Sequence, residues 1–145
     1  MPELPEVEIV ARSLDHALSG ARLKDVTVRY AGCLRCSGRA LRDRVRGKAI
    51  RRVGRRAKLV LLELEDDTRL AFHLKMTGSL LVARHGDAEL DKHTHLVFSL
   101  PDDRALMFRD VRKFGYCRVF ANEAEMRAWS FFTSLGPEPR ELGNE

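Results

Sequence analysis

No stretch of the 145-residue sequence approaches the roughly 18 consecutive apolar residues that a membrane-spanning helix requires. The first residues show neither the basic segment nor the apolar segment of a secretion signal. Cysteine is scarce and odd in number. Cys33, Cys36 and Cys117 cannot all pair, and they read as free thiols and not as a disulfide frame. Internal repeats and low-complexity tracts are absent. Membrane-spanning, disulfide-stapled and repeat-built architectures are therefore set aside, and a cytoplasmic chain of one domain is expected. The composition suits that class: 44% apolar residues suffice for one core, and 32% charged residues fit an ordinary soluble globule. Lys and Arg number 26 against 21 Asp and Glu, a net charge of +5.

The chain reads as helices around many short strands. Val7, Val10, Leu14, Ala17 and Leu18 recur at helical spacing, with Pro5 and Glu6 suited to a first turn and Gly20 to a stop. That helix would leave Arg12, Asp15 and His16 wet. The period then falls to two: Val26, Val28 and Tyr30 alternate with Thr27 and Arg29. Residues 31–39 read as a loop, and Leu41 and Val45 suggest one or two helical turns before Gly47. Strands are expected over 50–56 and 58–65, broken near Gly54, then over 70–76, 79–84, 95–100, 104–109 and 115–121. Pro101-Asp102-Asp103 is a hairpin-turn signal. Asn122 with Glu125 predicts a capped helix running through Trp129 and Phe132. About eight short amphipathic strands need two packed sheets, so the expected fold is α+β: an antiparallel β-sandwich flanked by an N-terminal and a C-terminal helix.

Several stretches could carry chemistry. Between Arg42 and Lys58 stand nine basic residues and one acid, Asp43, and a second basic concentration holds Arg109, Arg112, Lys113 and Arg118. Such runs suit phosphates, although a solvated basic face has the same composition. Phe114 lies in Arg112-Lys113-Phe114-Gly115, an apolar side chain on a turn flanked by cations, as in a wedge between bases. In His73-Leu74-Lys75-Met76-Thr77-Gly78, His73 and Lys75 would share one strand face. By composition alone, Met76 reads as core packing and His73 as a structural histidine. Cys33-Leu34-Arg35-Cys36 has zinc-knuckle spacing and His93-Thr94-His95 could complete four ligands. One such pair with a distant His pair is a weak metal signal, so plain thiols and no metal are expected. At the start, Pro and Glu favour any helix N-terminus. Position gives Pro2 a second reading. Freed of Met1, it would carry a secondary amine that titrates near ~7.7–8 or below at a helix N-terminus, nucleophilic at neutral pH. Glu3 beside it could move protons.

These residues together resemble a known family. Pro2-Glu3-Leu4-Pro5-Glu6-Val7-Glu8, Arg55-Arg56-Ala57-Lys58, His73-Leu74-Lys75-Met76-Thr77-Gly78, Asp110-Val111-Arg112-Lys113-Phe114-Gly115 and Leu135-Gly136-Pro137-Glu138-Pro139 are similar, in order, to motifs of the bacterial formamidopyrimidine-DNA glycosylases. The resemblance implies base excision repair of oxidised purines (8-oxoguanine, formamidopyrimidines) in double-stranded DNA, with cleavage of abasic sites by β,δ-elimination. It implies Pro2 as the nucleophile at C1′, Glu3 as general acid and base, Glu6 as a supporting acid, and Lys58 with His73 on phosphates. Met76, Arg112 and Phe114 would fill the gap left by the flipped base, which reverses the composition-only reading of Met76 and His73. Lys113 and Arg56 would add DNA contacts.

The resemblance also sets departures and limits. The family commonly has proline where Val111 stands and glycine where Lys75 stands. Residues 1–133 are expected to form the catalytic N-terminal domain and 134–145 the start of an interdomain linker. The helix-two-turn-helix domain and zinc finger of full family members are not in this sequence, so no cofactor is expected in this chain, and zinc would belong to that finger. A bacterial cytoplasmic monomer, nucleoid-associated when on DNA, is expected, with little or no activity from these residues alone. An endonuclease VIII-type specificity for oxidised pyrimidines and a non-catalytic DNA-binding module are the alternatives. Leu4 speaks against the first.

Overall fold

The computed structural model describes residues 4–84 and 92–129. In chain order it contains α1 (Leu4–Leu18), β1 (Asp25–Val28), a 3₁₀ turn (Ala31–Cys33), α2 (Gly38–Val45), β2 (Ile50–Arg56), β3 (Leu59–Leu64), β4 (Arg69–His73), β5 (Gly78–Arg84), β6 (Thr94–Ser99), β7 (Arg104–Asp110), β8 (Tyr116–Phe120) and α3 (Glu123–Arg127). The strands form two antiparallel sheets of four, ordered β1-β6-β7-β5 and β2-β3-β4-β8. The expected α+β sandwich with flanking helices is the observed fold.

Alternation along each strand decides what fills the middle. Val60, Leu62, Leu64, Leu70 and Phe72 from one sheet meet Leu96, Phe98, Leu106 and Phe108 from the other. Phe72 packs edge-on against Phe98 at 6.0 Å and tilted against Phe108 at 5.7 Å. The opposite face of β3 and β4 is buried too. Leu59, Leu61 and Ala71 lie under Met126 of α3, with Phe120 and Trp129. Strands covered on both faces become apolar at nearly every position, which explains the unbroken Leu59-Val60-Leu61-Leu62 run.

The stripe Val7, Ala11, Leu14 and Leu18 carries α1 onto β2, β3 and β5, closing the side of the sandwich where the edge strands β2 and β5 lie. Three contacts fix the direction of this helix. Gly20 donates its N–H to the Ile50 carbonyl at 2.8 Å, Asp15 accepts from the Val53 N–H at 2.8 Å, and Glu8 lies 3.5 Å from the Arg55 guanidinium. The helix therefore runs antiparallel to β2, and its N-terminus points toward the β2–β3 turn. Asp15 is thus half-buried and bonded to the sheet, while Arg12 and His16 are exposed as expected.

Other differences from the sequence reading have local causes. β2 runs unbroken through Gly54 and turns at Ala57-Lys58, because Ala57 adopts φ +53°. Strand β4 ends at His73, so Lys75 stands in a turn and not on a shared strand face. The loop expected over 31–39 contains the 3₁₀ turn and the start of α2, which Ser37 caps by accepting the Ala40 N–H. Asn122 caps α3 through the Glu125 N–H at 2.8 Å, but α3 ends at Arg127, short of Trp129; residues 130–145 lie outside the described residues.

His95 is fully buried, its ring 4.8 Å from that of Tyr30 and tilted to it, and edge-on to Phe108, and among the described residues neither ring nitrogen has a hydrogen-bond partner. Burial holds its pKa below the usual value. A polar ring in that position costs folding energy. His95→Phe is expected to raise the unfolding free energy by about 1 kcal/mol at pH 7, measured by urea denaturation, with a larger gain at pH 5 because the wild-type ring must then charge.

Candidate nucleic-acid interface

Strand register gathers three turns at one end of the sandwich. Arg56 pairs with Leu59, Leu59 with His73, His73 with Tyr116, and Gly78 with Asp110. The turn at Ala57-Lys58, the β4–β5 loop over 74–77 and the β7–β8 loop over 111–115 therefore emerge together. The N-terminus of α1, with exposed Glu6 in its first turn, approaches the same end. Pro2 and Glu3 lie outside the described residues.

Asp110 holds the two longer loops in place. It is fully buried. Its Oδ1 accepts from the Thr77 hydroxyl of one loop and from the Arg112 N–H of the other at 3.1 Å, and Oδ2 accepts the Gly115 N–H at 2.6 Å. Burial pushes its pKa up, but the Thr77, Gly115 and Arg112 hydrogen bonds outweigh that and hold it below the usual carboxylate value. The glycines beside the loops are dictated by contact. A Cβ on Gly115 would sit 2.8 Å from the His73 carbonyl oxygen, and one on Gly78 would sit 2.5 Å from that of Leu74. The residues in left-handed backbone are Lys75 (φ +54°) and Lys113 (φ +62°), not the glycines.

So anchored, the loops expose large apolar side chains. Met76 is 59% exposed, Val111 57% and Phe114 54%. Arg112 lies between the two loops: its Nη1 is 3.9 Å from Met76 Sδ and its guanidinium 5.1 Å from the Phe114 ring centre. Met76, Arg112 and Phe114, which the family resemblance groups together, form one exposed cluster. Around it stand cations. Lys113 Nζ lies 4.8 Å from the Tyr30 ring and Lys75 Nζ 5.8 Å from the Tyr116 ring. Exposed apolar side chains ringed by cations are suited to entering a base stack while the cations meet phosphates.

His73 lies just below this cluster, 5% exposed. Its Nδ1 accepts the Lys75 N–H at 3.1 Å, which makes Nε2 the donor nitrogen of the neutral ring. Burial, then the charges of Lys75 and Lys58, lowers its pKa to about 4. His73 is therefore neutral at pH 7. Lys58 sits half-buried in the first of the three turns. Arg56 is buried and pairs with Glu123 at 3.6 Å.

The long basic run is different in kind from what its composition suggests. Arg42 is held by Asp25, Arg51 by Asp67 and Glu63, Arg52 by Glu63, Arg55 by Glu8 and Lys48 by Asp66. Most of its members are ion-paired within the fold, and Arg51 and Arg52 pair across the sheet because β3 and the turn after it place Glu63 and Asp67 opposite them. Among the described residues no three His, Cys, Asp or Glu side chains gather as a metal site, and Cys33, Cys36 and Cys117 are free thiols. The residue that sequence reasoning missed is Asp110. It opened one of the quoted motifs but was given no role there; its local signal was an acid two residues before Arg112 and five before Gly115.

The family model for the formamidopyrimidine-DNA glycosylase N-terminal domain matches residues 1–117. A formamidopyrimidine-DNA glycosylase of Rhizobium etli is 38% identical over the whole of this chain and 53% of its own length; one from Heliobacterium modesticaldum is 41% identical over 96% of this chain and 51% of its own. The crystal structure of the Lactococcus lactis enzyme non-covalently bound to DNA with an AP site superposes with a TM-score of 0.87 at 33% identity, covering 95% of this chain and 52% of that one. A complex of the same enzyme with FAPY-dG DNA gives 0.84 at 34%, over 94% and 51%. The chain spans about half the length of the curated relatives it matches.

Two measurements test the geometry. Asp110→Ala leaves three donors without their acceptor and is expected to cost about 3 kcal/mol or more in urea unfolding, with Asp110→Asn milder. The lowered pKa of His73 means that its stabilising contribution is complete above its unfolded value near ~6.5 and is lost as pH falls toward about 4. Unfolding free energy should therefore fall across that window, and less steeply in His73→Gln.

Proposed function

Because the chain belongs to the formamidopyrimidine-DNA glycosylase family, we propose that it supplies the nucleophile and the base-replacing residues of a bifunctional DNA glycosylase and AP lyase acting on oxidised purines. The observation that carries this reading is the joined, exposed cluster of Met76, Arg112 and Phe114 at the end toward which the start of α1 points.

The proposed sequence begins with insertion. Phe114 wedges the stack, and Met76 and Arg112 occupy the space of the flipped nucleotide, with Arg112 facing the orphaned cytosine. Arg112 suits that role because a guanidinium offers several donors in a plane and tolerates desolvation better than an ammonium. His73 donates through Nε2 to a phosphate beside the lesion, and Lys58 offers a positive charge to the same strand. A neutral histidine avoids the cost of burying a cation before DNA arrives.

The chemistry then passes to the N-terminus. With Met1 removed, the Pro2 nitrogen bonds to C1′ as the bond from C1′ to the damaged base breaks, and the departing base takes up a proton. Glu3 is the proposed proton donor and acceptor, with Glu6 as a supporting acid. Opening of the sugar gives an iminium, whose electron-withdrawing nitrogen allows the 3′ and then the 5′ phosphate to leave by successive eliminations. Water finally hydrolyses the iminium and frees Pro2. No step requires a cofactor held by these residues. The reaction is proposed for the full length typical of the relatives; the 145 residues by themselves are expected to bind duplex DNA with little cleavage.

Borohydride trapping tests this directly. With abasic-site duplex, borohydride should reduce the iminium and leave a covalent protein–DNA adduct that disappears when Met1 is retained or Pro2 is acetylated. An adduct indifferent to acetylation would overturn the assignment of Pro2. Comparing 8-oxoguanine with thymine glycol duplexes then separates purine from pyrimidine specificity. Phe114→Ala is expected to weaken binding to abasic duplex about tenfold, in line with the worth of one base–aromatic contact.

A further inference from the structure

A fourth segment reaches the end of the sandwich where the three turns emerge. It is the connection from β1 to α2, over 29–37. The Arg29 and Tyr30 N–H groups both donate to the His95 carbonyl, at 2.7 and 3.2 Å, so the segment leaves the first sheet beside the start of β6. It then joins the second sheet. Leu34 forms a parallel bridge with Cys117, and the Arg35 N–H donates to the Cys117 carbonyl at 3.3 Å. β1 and β8 are edge strands, so the segment straps the side of the sandwich opposite α1. Two of its side chains lie among the groups of the candidate interface. The Tyr30 ring carries Lys113 Nζ at 4.8 Å. Arg35 is exposed, with its guanidinium 4.5 Å from the centre of the Tyr116 ring. That same ring lies 5.4 Å from the ring of His73 and 5.8 Å from Lys75 Nζ.

Arg35 differs from the arginines of the long basic run. Most of those lie on carboxylates, whereas among the described residues no carboxylate pairs with Arg35. Its Nη1 makes one long hydrogen bond, to the Gly32 carbonyl at 3.5 Å, and its other side-chain donors face outward. Lys75, Arg112 and Lys113 share this trait: they lie over the rings of Tyr116, Phe114 and Tyr30. A ring orders a cation without neutralising it, so the charge stays available to an anion. Asp110, whose charge reaches Cys33 of the strap, has both oxygens taken by the neighbouring loops. Glu6 stands on α1, which closes the opposite side of the sandwich. A stacked guanidinium keeps its edge donors free, and that edge matches the oxygens of a phosphate.

We propose that the strap between β1 and α2 is a fourth element of the DNA interface, in which Arg35, seated on Tyr116, holds a backbone phosphate of the duplex close to the one assigned to His73. This rests on the reading of the chain as a DNA glycosylase domain and adds to it a contact that binds without entering the chemistry. The strap fixes the contact in advance, because its backbone is bonded to both sheets and the Tyr116 ring sets the height of the guanidinium.

The test follows binding of the 145-residue chain to a fluorescent duplex containing an abasic site, by anisotropy across a salt series. Arg35→Met keeps an unbranched stem over Tyr116 and removes the charge. It should bind about tenfold more weakly at low salt and lower the slope of log affinity against log salt by about 1, while Arg35→Lys keeps the slope. Arg22→Met makes the same change of net charge at the opposite end of the sandwich, beside Glu65, and should leave affinity and slope unchanged. An unchanged slope in Arg35→Met, whatever its affinity, would overturn the proposal, because an arginine that merely supports Tyr116 releases no counterions. So would an equal loss in Arg22→Met, or no binding by the wild-type chain. The glycosylase reading fails separately: it stands on borohydride trapping through Pro2, in which Arg35 has no part.

Discussion

The end of the sandwich that carries the candidate site depends on one buried carboxylate. Asp110 closes β7, and its two oxygens take a hydroxyl from the β4–β5 loop and two backbone N–H groups from the β7–β8 loop. Neither loop has strand pairing of its own. Without that acceptor, buried donors from two connections would lack partners, and Met76, Arg112 and Phe114 would have no common position. The carboxylate is stable there because three hydrogen bonds replace its hydration, which is the condition under which a charge survives burial. The loop tips can then remain exposed and apolar because the support beneath them is polar and rigid.

Pairing of charge also shapes the rest of the molecule. A +5 chain with a long basic run invites the picture of a uniformly positive face. The fold instead commits most of that run to internal pairing: Glu63 and Asp67 lie opposite Arg51 and Arg52, Glu8 reaches Arg55 and Glu123 reaches Arg56. Around the turns, Arg112 and Lys113 are exposed and Lys75 is half-buried beside them. Affinity for a polyanion depends on where such cations stand, and net charge alone misplaces them here.

The sequence made the sandwich legible because period-two alternation and turn signals report directly on burial. The strand bounds over 50–56 and the hairpin at Pro101-Asp102-Asp103 followed from that. The exposure of Phe114 was legible for the same reason: an apolar residue among cations beside a glycine has no core to join. Met76 was not, since a methionine next to a strand is normally buried, and only family resemblance reversed that reading. Asp110 was invisible in its role, because a buried acid is identified by the donors that converge on it, and one of these, Thr77, stands 33 positions away. The ion pairs of the basic run were hidden likewise, because acids such as Glu8, Asp25 and Glu123 come from elements distant in sequence.

The turn residues show why such sites defy local rules. Lys75 and Lys113 adopt φ of +54° and +62°, where a side chain costs roughly 1–2 kcal/mol and glycine almost nothing. A lysine at position 75 exchanges backbone ease for a positive charge over Tyr116 and beside His73. That charge adds to burial in lowering the pKa of His73 and so helps keep the ring neutral. The strain is thus tied to electrostatics: the loop accepts an unfavourable dihedral where a cation is wanted, and glycine is kept for Gly78 and Gly115, where the neighbouring carbonyl oxygens leave no room for a Cβ.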